Sequence, residues 1–295
     1  MMEQSPSLEL HDLGPEPVQE WQRLLQFVGL NQGDRQAMAT TVETLLQRAP
    51  ELVIGTYDYL LSVPETAVIL GWESGADETH LAERRRFFAV WLSRTLGIDT
   101  SDEFAYYLFR AGKFHAGHGP RHIHTPSVYV TGSIGLVQAA FARYMYEANL
   151  PGDRIAPALA GWSKYLTAQL HLMLTGYQAA RELDQGDLPI RLTFFGRMRT
   201  IIGKSKMSAH IETGATAGDL LRKFFNYHPQ ARSAALECVW HTEEETDSLW
   251  LEPIPVYRPQ WGWRVLRNGR DLSYNGGFTT PLNANDTIAI FPPGR

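Results

Sequence analysis

The sequence has little of several features that would assign a protein to a class at once. It contains one cysteine, Cys238, among 295 residues, which excludes an intramolecular disulfide and favours a reducing compartment. No stretch approaches the roughly 20 apolar residues that cross a bilayer, so we expect no membrane-spanning segment. The N-terminal stretch carries Glu3, Glu9 and Asp12 where a secretory signal needs positive charge before an apolar run. These absences predict a cytoplasmic protein.

An excess of positive charge is also missing. The chain has 27 Lys and Arg against 32 Asp and Glu, a net charge of −5, which gives no general attraction to nucleic acid or anionic lipid. Apolar residues make up 44% and charged residues 20%, a composition that forms buried cores and excludes a disordered chain. At about 100 to 200 residues per domain, the length predicts two domains.

The first half of the chain has helical periodicity. Apolar residues recur at helical spacing over residues 21–183, which predicts an all-α domain. We expect Asp34 to cap a helix that stops before Pro50, and Ser101 to begin the helix that follows the third one. Two long helices are predicted last, over about 128–148 and 154–183.

The second half changes to strand periodicity. The polar segment ELDQGDL, residues 182–188, precedes alternating apolar and polar residues, so the domain boundary is expected there. Strands around one helix make this half α+β. The local signals are a hairpin through Gly203, a capping box from Thr216 to Asp219, an Asn268-Gly269 turn and a final strand at 288–291.

These patterns predict a multidomain protein with an all-α N-terminal domain and an α+β C-terminal domain. The predicted boundaries are a flexible lead over residues 1–16, a helical domain over 17–184, a linker over 185–188 and a second domain over 189–295.

One histidine stands out on the fourth predicted helix. His115 follows Phe104, Leu108 and Ala111 at spacings that place all four on one buried face. Periodicity alone leaves three interpretations open. His115 is a core histidine bonded to a backbone carbonyl, an axial ligand of haem iron in an apolar pocket, or part of a zinc or copper site. The metal site would also use His118, His122 and His124, but Gly119-Pro120 breaks the helix and no cysteine or carboxylate completes the set.

Two stretches of this half resemble a known family. FRAGKFHAGHG, residues 109–119, and TYDYLL, residues 56–61, resemble the globin domain of globin-coupled sensors and protoglobins, and the likeness extends over about residues 22–180. The resemblance implies a globin-like fold that binds haem b, with His115 as the proximal ligand of the iron and Tyr57 as the distal hydrogen-bond donor to a diatomic gas.

The resemblance also implies the other pocket residues. These are Leu81, Phe88, Trp91, Leu108 and Phe114. We expect His80 and Arg84 at the surface, the alternative being contact with the gas ligand or the haem carboxylates. The segment RHIHTPSVY after Gly119 is longer than in the family, so the roles of the three later histidines stay open. The last two helices are candidates for a homodimer interface.

The C-terminal half resembles a second family. IRLTFFGRMR, TAGDLLRKFF, RNGRD and LNANDTIAIFPPGR are similar to the MoaD/ThiS family of sulphur carriers, which implies a ubiquitin-like β-grasp fold for residues 190–295. The family's tail ends in Gly-Gly, because residues without side chains fit the narrow site of an adenylating enzyme. This tail reads Pro292-Pro293-Gly294-Arg295, so we expect an interaction module that has lost the carrier chemistry.

Together the resemblances predict a haem-based sensor. A gas (O2, CO or NO) or the redox state of the iron would control what the β-grasp module binds, either an adenylating-enzyme-like or a signalling protein, and no catalytic residue, nucleic acid or membrane is involved. One alternative is a sulphur carrier of molybdopterin or thiamine pathways with a regulatory globin. The other is a globin enzyme of oxygen or nitric oxide chemistry, for which this chain shows no nicotinamide fingerprint.

Overall fold

The computed structural model describes residues 7–243 and 252–292, which fall into two compact units. Residues 16–178 form the helical unit. The described residues from 179 onward, together with residues 7–15, form the α/β unit. Within the described residues, no helix combines the length and the apolar composition that crossing a bilayer requires.

The helical unit confirms the all-α prediction. Its described residues form α1 Pro17–Phe27, α2 Gln32–Ala39, α3 Val42–Gln47, α4 Ala49–Ser62, α5 Pro64–Leu70, α6 Glu78–Leu96, α7 Asp102–His115, α8 Ser127–Glu147 and α9 Gly152–Asp184. Ser101 caps α7 as predicted, since its hydroxyl accepts from the N–H of Phe104 at 3.2 Å. The residues of α9 from Ala179 onward are assigned to the α/β unit.

The start of the second helix differs from the prediction. Asn31, not Asp34, is the N-cap of α2, and Asp34 is its partner in a reciprocal capping box with N···O distances of 3.0 and 3.1 Å. The single helix predicted up to Pro50 is divided into two, because α2 ends at Ala39 and α3 begins at Val42. The buried Thr41 interrupts it, because its hydroxyl donates to the carbonyl of Met38 at 2.7 Å and so competes with the helical ladder.

The core of the helical unit is aromatic. The rings of Trp21, Phe104, Phe141, Trp162 and Tyr165 are fully buried and meet in edge-on or tilted pairs, such as Trp21 on Phe104 at 6.1 Å and Phe141 on Trp162 at 5.2 Å. This core holds the first half of α7, which leaves the second half of that helix to form a cavity wall.

The α/β unit is a mixed sheet with helices. Its described elements are β1 Leu188–Phe194, α10 Gly196–Ile202, β2 Lys206–Ile211, α11 Ala217–Tyr227, α12 Arg232–Ala235, β3 Leu236–Glu243, β4 Glu252–Pro259, β5 Arg264–Arg267, β6 Arg270–Asp271 and β7 Thr287–Phe291. The five-stranded sheet has the order β2-β1-β7-β5-β6, with β1 and β7 parallel, and β3 pairs with β4 in a separate ribbon. Phe224 of α11 stacks on Phe194 of β1 at 5.2 Å, so this helix covers the sheet.

Most local signals of this half are confirmed. Thr216 and Asp219 form the capping box of α11, and Asn268-Gly269 is the turn between β5 and β6. β1 and β2 pair as an antiparallel hairpin, but α10 forms the connection between them. Gly203 ends that helix with φ of +73°, a conformation in which a residue with a side chain is strained.

The expected flexible lead does not extend over residues 7–15. The backbone of Leu10 exchanges two hydrogen bonds of 2.8 and 2.9 Å with Tyr257 of β4, and its side chain is only 3% exposed. Glu9 forms an ion pair with Arg258. An extended segment that buries a leucine in the core of the α/β unit is part of that unit.

Candidate functional site

A cavity of about 420 Å³ lies inside the helical unit. Side chains of α4, α5, α6, α7, α8 and α9 line it, and most of them are apolar or aromatic. Its charged lining residues are Arg84 and Arg110, and no aspartate or glutamate is among the described residues that line it. Its size and apolar walls are typical of a site for a small organic molecule.

The structure brings five of the seven predicted pocket residues to this cavity. Tyr57 lies on α4, Phe88 and Trp91 on α6, and Phe114 and His115 at the end of α7. They come from three helices that are separated in sequence, so the cavity is formed only by the folded unit.

Leu81 and Leu108 do not line the cavity. Leu108 is fully buried on the part of α7 that packs in the aromatic core. Leu81 is buried on the first turn of α6, one turn before Arg84 and therefore beyond the cavity. The resemblance pointed to two helices that line the cavity, α6 and α7, but not to where the cavity ends along them.

His115 has one free ring nitrogen on the cavity wall. Its Nδ1 donates to the carbonyl of Ala111 at 2.8 Å, one turn earlier in α7. This bond fixes the tautomer that leaves a lone pair on Nε2, for which no described residue is a hydrogen-bond partner. Burial lowers the pKa of His115 below its ordinary value, so the imidazole is neutral, as a metal ligand must be.

Two interpretations of this histidine can now be compared. The bond to a backbone carbonyl exists, and it is also the contact that orients a ligating imidazole. A zinc or copper site built from the histidine cluster is not formed, because no three His, Cys, Asp or Glu side chains of the described residues lie close enough to hold a metal ion.

Two glycines set the position of α7. A Cβ on Gly112 would overlap the carbonyl of Met173 in α9, and a Cβ on Gly176 would overlap the carbonyl of Phe109. The two helices therefore cross with their backbones in contact, which only glycine permits at both positions. Gly112 in the RxGxxH stretch thus places the helix that carries His115.

The loop after His115 is folded back on the end of α7. The N–H of Thr125 donates to the carbonyl of His115 at 2.7 Å, and Ala116 pairs with His124 in an isolated bridge. Nε2 of His124 lies 2.6 Å from the hydroxyl of Tyr177. His124 therefore fastens this loop to α9.

Tyr57 carries a hydroxyl that stays protonated. Burial raises its pKa to about 12, although Arg84 and Arg85 partly counteract the shift. The hydroxyl donates to the backbone carbonyl of Arg84 at 2.9 Å, and the ring packs edge-on against Phe88 at 6.2 Å. Tyr57 is thus a hydrogen-bond donor held at the cavity wall by α6.

A polar chain on α6 was not expected from the sequence. His80 is only 4% exposed and Arg84 is partly buried in the cavity wall, so the surface positions predicted for both were wrong. His80 contacts Trp72 and Arg84 through its two ring nitrogens. The sequence did contain a signal for their burial, because positions 80 and 84 lie on the same helix face as Phe88 and Trp91.

The α/β unit carries an aromatic pair where its last strand ends. Phe195 and Phe291 stack at 4.2 Å, and Phe195 is 43% exposed. Pro292 follows and packs against Gly196, whose φ is +47°. The tail residues Gly294 and Arg295, on which the carrier prediction depends, lie outside the described residues.

Comparison with known proteins gives two family matches. Residues 18–182 match the protoglobin family, and residues 192–294 match the ThiS family. Among curated proteins, small archaeal modifier protein 3 of Haloferax volcanii is 26% identical over 106 residues, which cover 36% of this chain and 96% of that protein.

Two solved structures show the similarity of each half. The globin domain of the Geobacter sulfurreducens globin-coupled sensor is 18% identical and covers 53% of this chain and 97% of its own, with a TM-score of 0.46. SAMP1 from Haloferax volcanii is 22% identical and covers 36% of this chain and 96% of its own, with a TM-score of 0.26. The two family matches do not overlap along the chain.

Proposed function

We propose a function on the premise that this chain belongs to the protoglobin family, whose match covers more than half of it. The helical unit binds haem b, with His115 as the axial ligand of the iron. The ligand or redox state of that iron then alters the interactions of the ThiS-like, ubiquitin-like unit. In this proposal the chain acts as a sensor or binding protein, and no residue is assigned a catalytic role.

The observation that carries this proposal is the state of His115. A neutral imidazole has its Nδ1 occupied by Ala111 and its Nε2 lone pair free, on the wall of an apolar cavity. Iron in haem takes such a nitrogen as its axial ligand. The lining also fits the rest of the group, since its aromatic walls accept a flat macrocycle.

Tyr57 is the proposed donor to the gas. Bound haem supplies an iron whose open face takes up dioxygen, carbon monoxide or nitric oxide. The Tyr57 proton is already shared with the carbonyl of Arg84, so a ligand must compete with α6 for it. One such hydrogen bond, at about 1 kcal/mol, changes affinity about fivefold.

The ubiquitin-like unit is the proposed output. Its partner is an adenylating-enzyme-like or signalling protein, and coupling between ligand and partner is typically worth about 1 to 3 kcal/mol. The single cysteine, which is exposed, supports a reducing, cytoplasmic setting.

A homodimer through α8 and α9 is part of this proposal. Both helices expose small uncharged residues at helical spacing, among them Gly132, Gly135 and Ala139 on α8 and Ala160 on α9. A side chain added at Gly135 would meet open space, so Gly135→Arg should convert a dimer to a monomer in sedimentation experiments without unfolding it. A wild-type monomer at micromolar concentration would remove this part of the proposal.

Haem binding is tested by titrating haemin into the purified apoprotein. Wild type should develop the intense absorption band of bound haem at one haem per chain. His115→Gly should lose that band and regain it when imidazole is added, because the free ring then replaces the missing ligand. His122→Asn is the matched control, because His122 is an exposed member of the same histidine cluster and asparagine tolerates its φ of +53°; it should bind like wild type. Unchanged binding by His115→Gly would reject the proposed ligand.

Signalling is tested by hydrogen exchange on the haem-loaded, ferrous protein. Carbon monoxide should change exchange rates in residues 188–292 as well as around the cavity. If the protein binds carbon monoxide and these rates do not change, the helical unit binds gas without reporting it to the second unit.

The ThiS family match supports one alternative function, a sulphur carrier. That activity requires a terminal glycine carboxylate. Mass spectrometry of the mature protein should find Gly294 as a thiocarboxylate if the alternative is correct, whereas an intact Arg295 would exclude it.

A further inference from the structure

His80 faces two hydrogen-bond donors and can satisfy only one. The indole N–H of Trp72 lies 3.1 Å from Nδ1, and Nε of Arg84 lies 2.9 Å from Nε2. Burial, together with the charge of Arg84, lowers the pKa of His80, so the ring is neutral. A neutral imidazole has one acceptor nitrogen and one N–H. One of the two donors therefore faces an N–H.

The unprotonated nitrogen of His80 is expected to accept from Trp72 rather than from Arg84. The Trp72 side chain is 1% exposed, and among the described residues its indole N–H has no other acceptor. An unsatisfied buried donor costs about 1 to 3 kcal/mol. Arg84 lines the cavity and has four further N–H groups, so it can turn away from His80 at little cost. The tautomer that suits Trp72 leaves Nε of Arg84 without an acceptor.

No carboxylate of the described residues forms an ion pair with Arg84. The nearby acids are engaged elsewhere, since Glu83 pairs with Arg121 at 2.6 Å and Asp58 pairs with Arg85 at 3.2 Å. Burial lowers the pKa of Arg84, although the charge of Glu83 partly counteracts the shift, and a partly buried guanidinium with no bonded carboxylate is unfavourable. The described residues that line the cavity include no aspartate or glutamate that could approach it.

We propose that Arg84 is an anion-binding residue of this cavity, which turns from His80 to hold a singly charged anion that enters the cavity from outside the chain. The guanidinium offers the paired N–H donors that suit a carboxylate or a small inorganic anion. The two sources considered, a haem carboxylate and an inorganic anion on the open face of the iron, rest on the proposed function. The site itself does not.

The first experiment uses the apoprotein and two fluorescent probes of similar shape. Anilinonaphthalene sulfonate carries one negative charge, and N-phenyl-naphthylamine carries none. Arg84→Met should weaken binding of the sulfonate about tenfold, the usual effect of losing one charge-assisted hydrogen bond, and leave the neutral probe within about twofold. Arg84→Lys should retain part of the preference, which separates lost charge from a folding defect.

Arg86→Met is the matched control, because Arg86 lies on the same helix but does not line this cavity. It should bind both probes like wild type. The proposal is overturned if wild type does not prefer the charged probe, or if Arg84→Met weakens both probes equally.

The second experiment identifies the source of the anion in the haem-loaded protein. Faster loss of haemin, but not of haemin dimethyl ester, from Arg84→Met assigns the haem carboxylate. Weaker azide binding to the ferric protein with unchanged haemin loss assigns the inorganic anion. No effect on either would overturn the role of Arg84 in the loaded protein. A wild type that binds no haem would reject the proposed function and leave the probe experiment valid.

Discussion

Each of the two units contains a buried or partly buried arginine. The two side chains differ in how many of their N–H groups have a hydrogen-bond acceptor. In the α/β unit, Arg232 is 3% exposed and donates to the carbonyls of Phe225 and Gly14 and to the side chain of Asn226. In the helical unit, the Nε–H of Arg84 faces Nε2 of His80, which accepts a hydrogen bond in only one tautomer of the imidazole. A saturated arginine holds a fold together, whereas an unsaturated one beside a cavity is available to a ligand.

The largest effect is expected when each of these two arginines is replaced, and it is an effect on the free energy of unfolding. Arg232→Met should destabilise the α/β unit by about 3 kcal/mol, because it leaves the carbonyls of Phe225 and Gly14 without this donor. Arg84→Met should change the stability of the apoprotein by less than about 0.5 kcal/mol or increase it. Urea unfolding, with hydrogen exchange to assign each transition to a unit, measures both. Equal losses would remove the distinction.

The N-terminal segment should matter to the same unit as Arg232. Leu10→Ala removes a side chain that is buried in the core of the α/β unit, and it should cost about 2 to 3 kcal/mol. The loss should appear in the transition of residues 188–292 and not in that of the helical unit. His11→Ala, an exposed neighbour, is the control. A normal unfolding curve for Leu10→Ala would show that this segment is dispensable.

A buried carboxylate of the α/β unit gives a pH signature. Burial alone would raise the pKa of Asp286, but hydrogen bonds from Asn283, Asn268 and Arg267 lower it overall. Asp286 therefore stabilises the fold above the ordinary pKa of aspartate, and this contribution is lost as pH falls through its folded pKa.

Asp286→Asn tests that contribution. It should cost about 2 kcal/mol at pH 7, and the difference in melting temperature from wild type should shrink below about pH 4. Glu237→Gln, at an exposed position of β3, should show little difference at any pH. A constant difference for Asp286→Asn would mean that its charge is not what stabilises the unit.

A smaller loss of stability is expected for Tyr57 in the helical unit. Tyr57→Phe removes the hydroxyl that donates to Arg84, and it should reduce apoprotein stability by about 1 kcal/mol. In the haem-loaded ferrous protein it should speed dioxygen release about fivefold. Tyr59→Phe, whose ring is largely exposed on the same helix, should leave both unchanged. Unaltered dioxygen release from Tyr57→Phe would remove Tyr57 as the donor.

Local features of this fold could be predicted from the sequence, and long-range ones could not. Capping boxes such as Thr216 with Asp219 depend on residues three apart, so the sequence contains the whole interaction. The burial of His80 depends on which part of α6 meets a cavity formed by several other helices, and periodicity does not give that. The roles predicted for His115 and Tyr57 came from the family resemblance, and both stay predictions until haem binding is measured.

The pairing of Glu9 with Arg258, 249 positions later in the chain, has a consequence for the order of events at the ribosome. At about 5 to 20 residues per second, residue 258 is made roughly 10 to 50 seconds after residue 9. The residues of the helical unit lie between these two positions, so that unit can fold during the delay. Tyr257, the backbone partner of Leu10, has not yet been synthesised at that time. A nascent chain stalled before residue 252 should therefore contain a finished helical unit and an N-terminal segment that a protease can still cut.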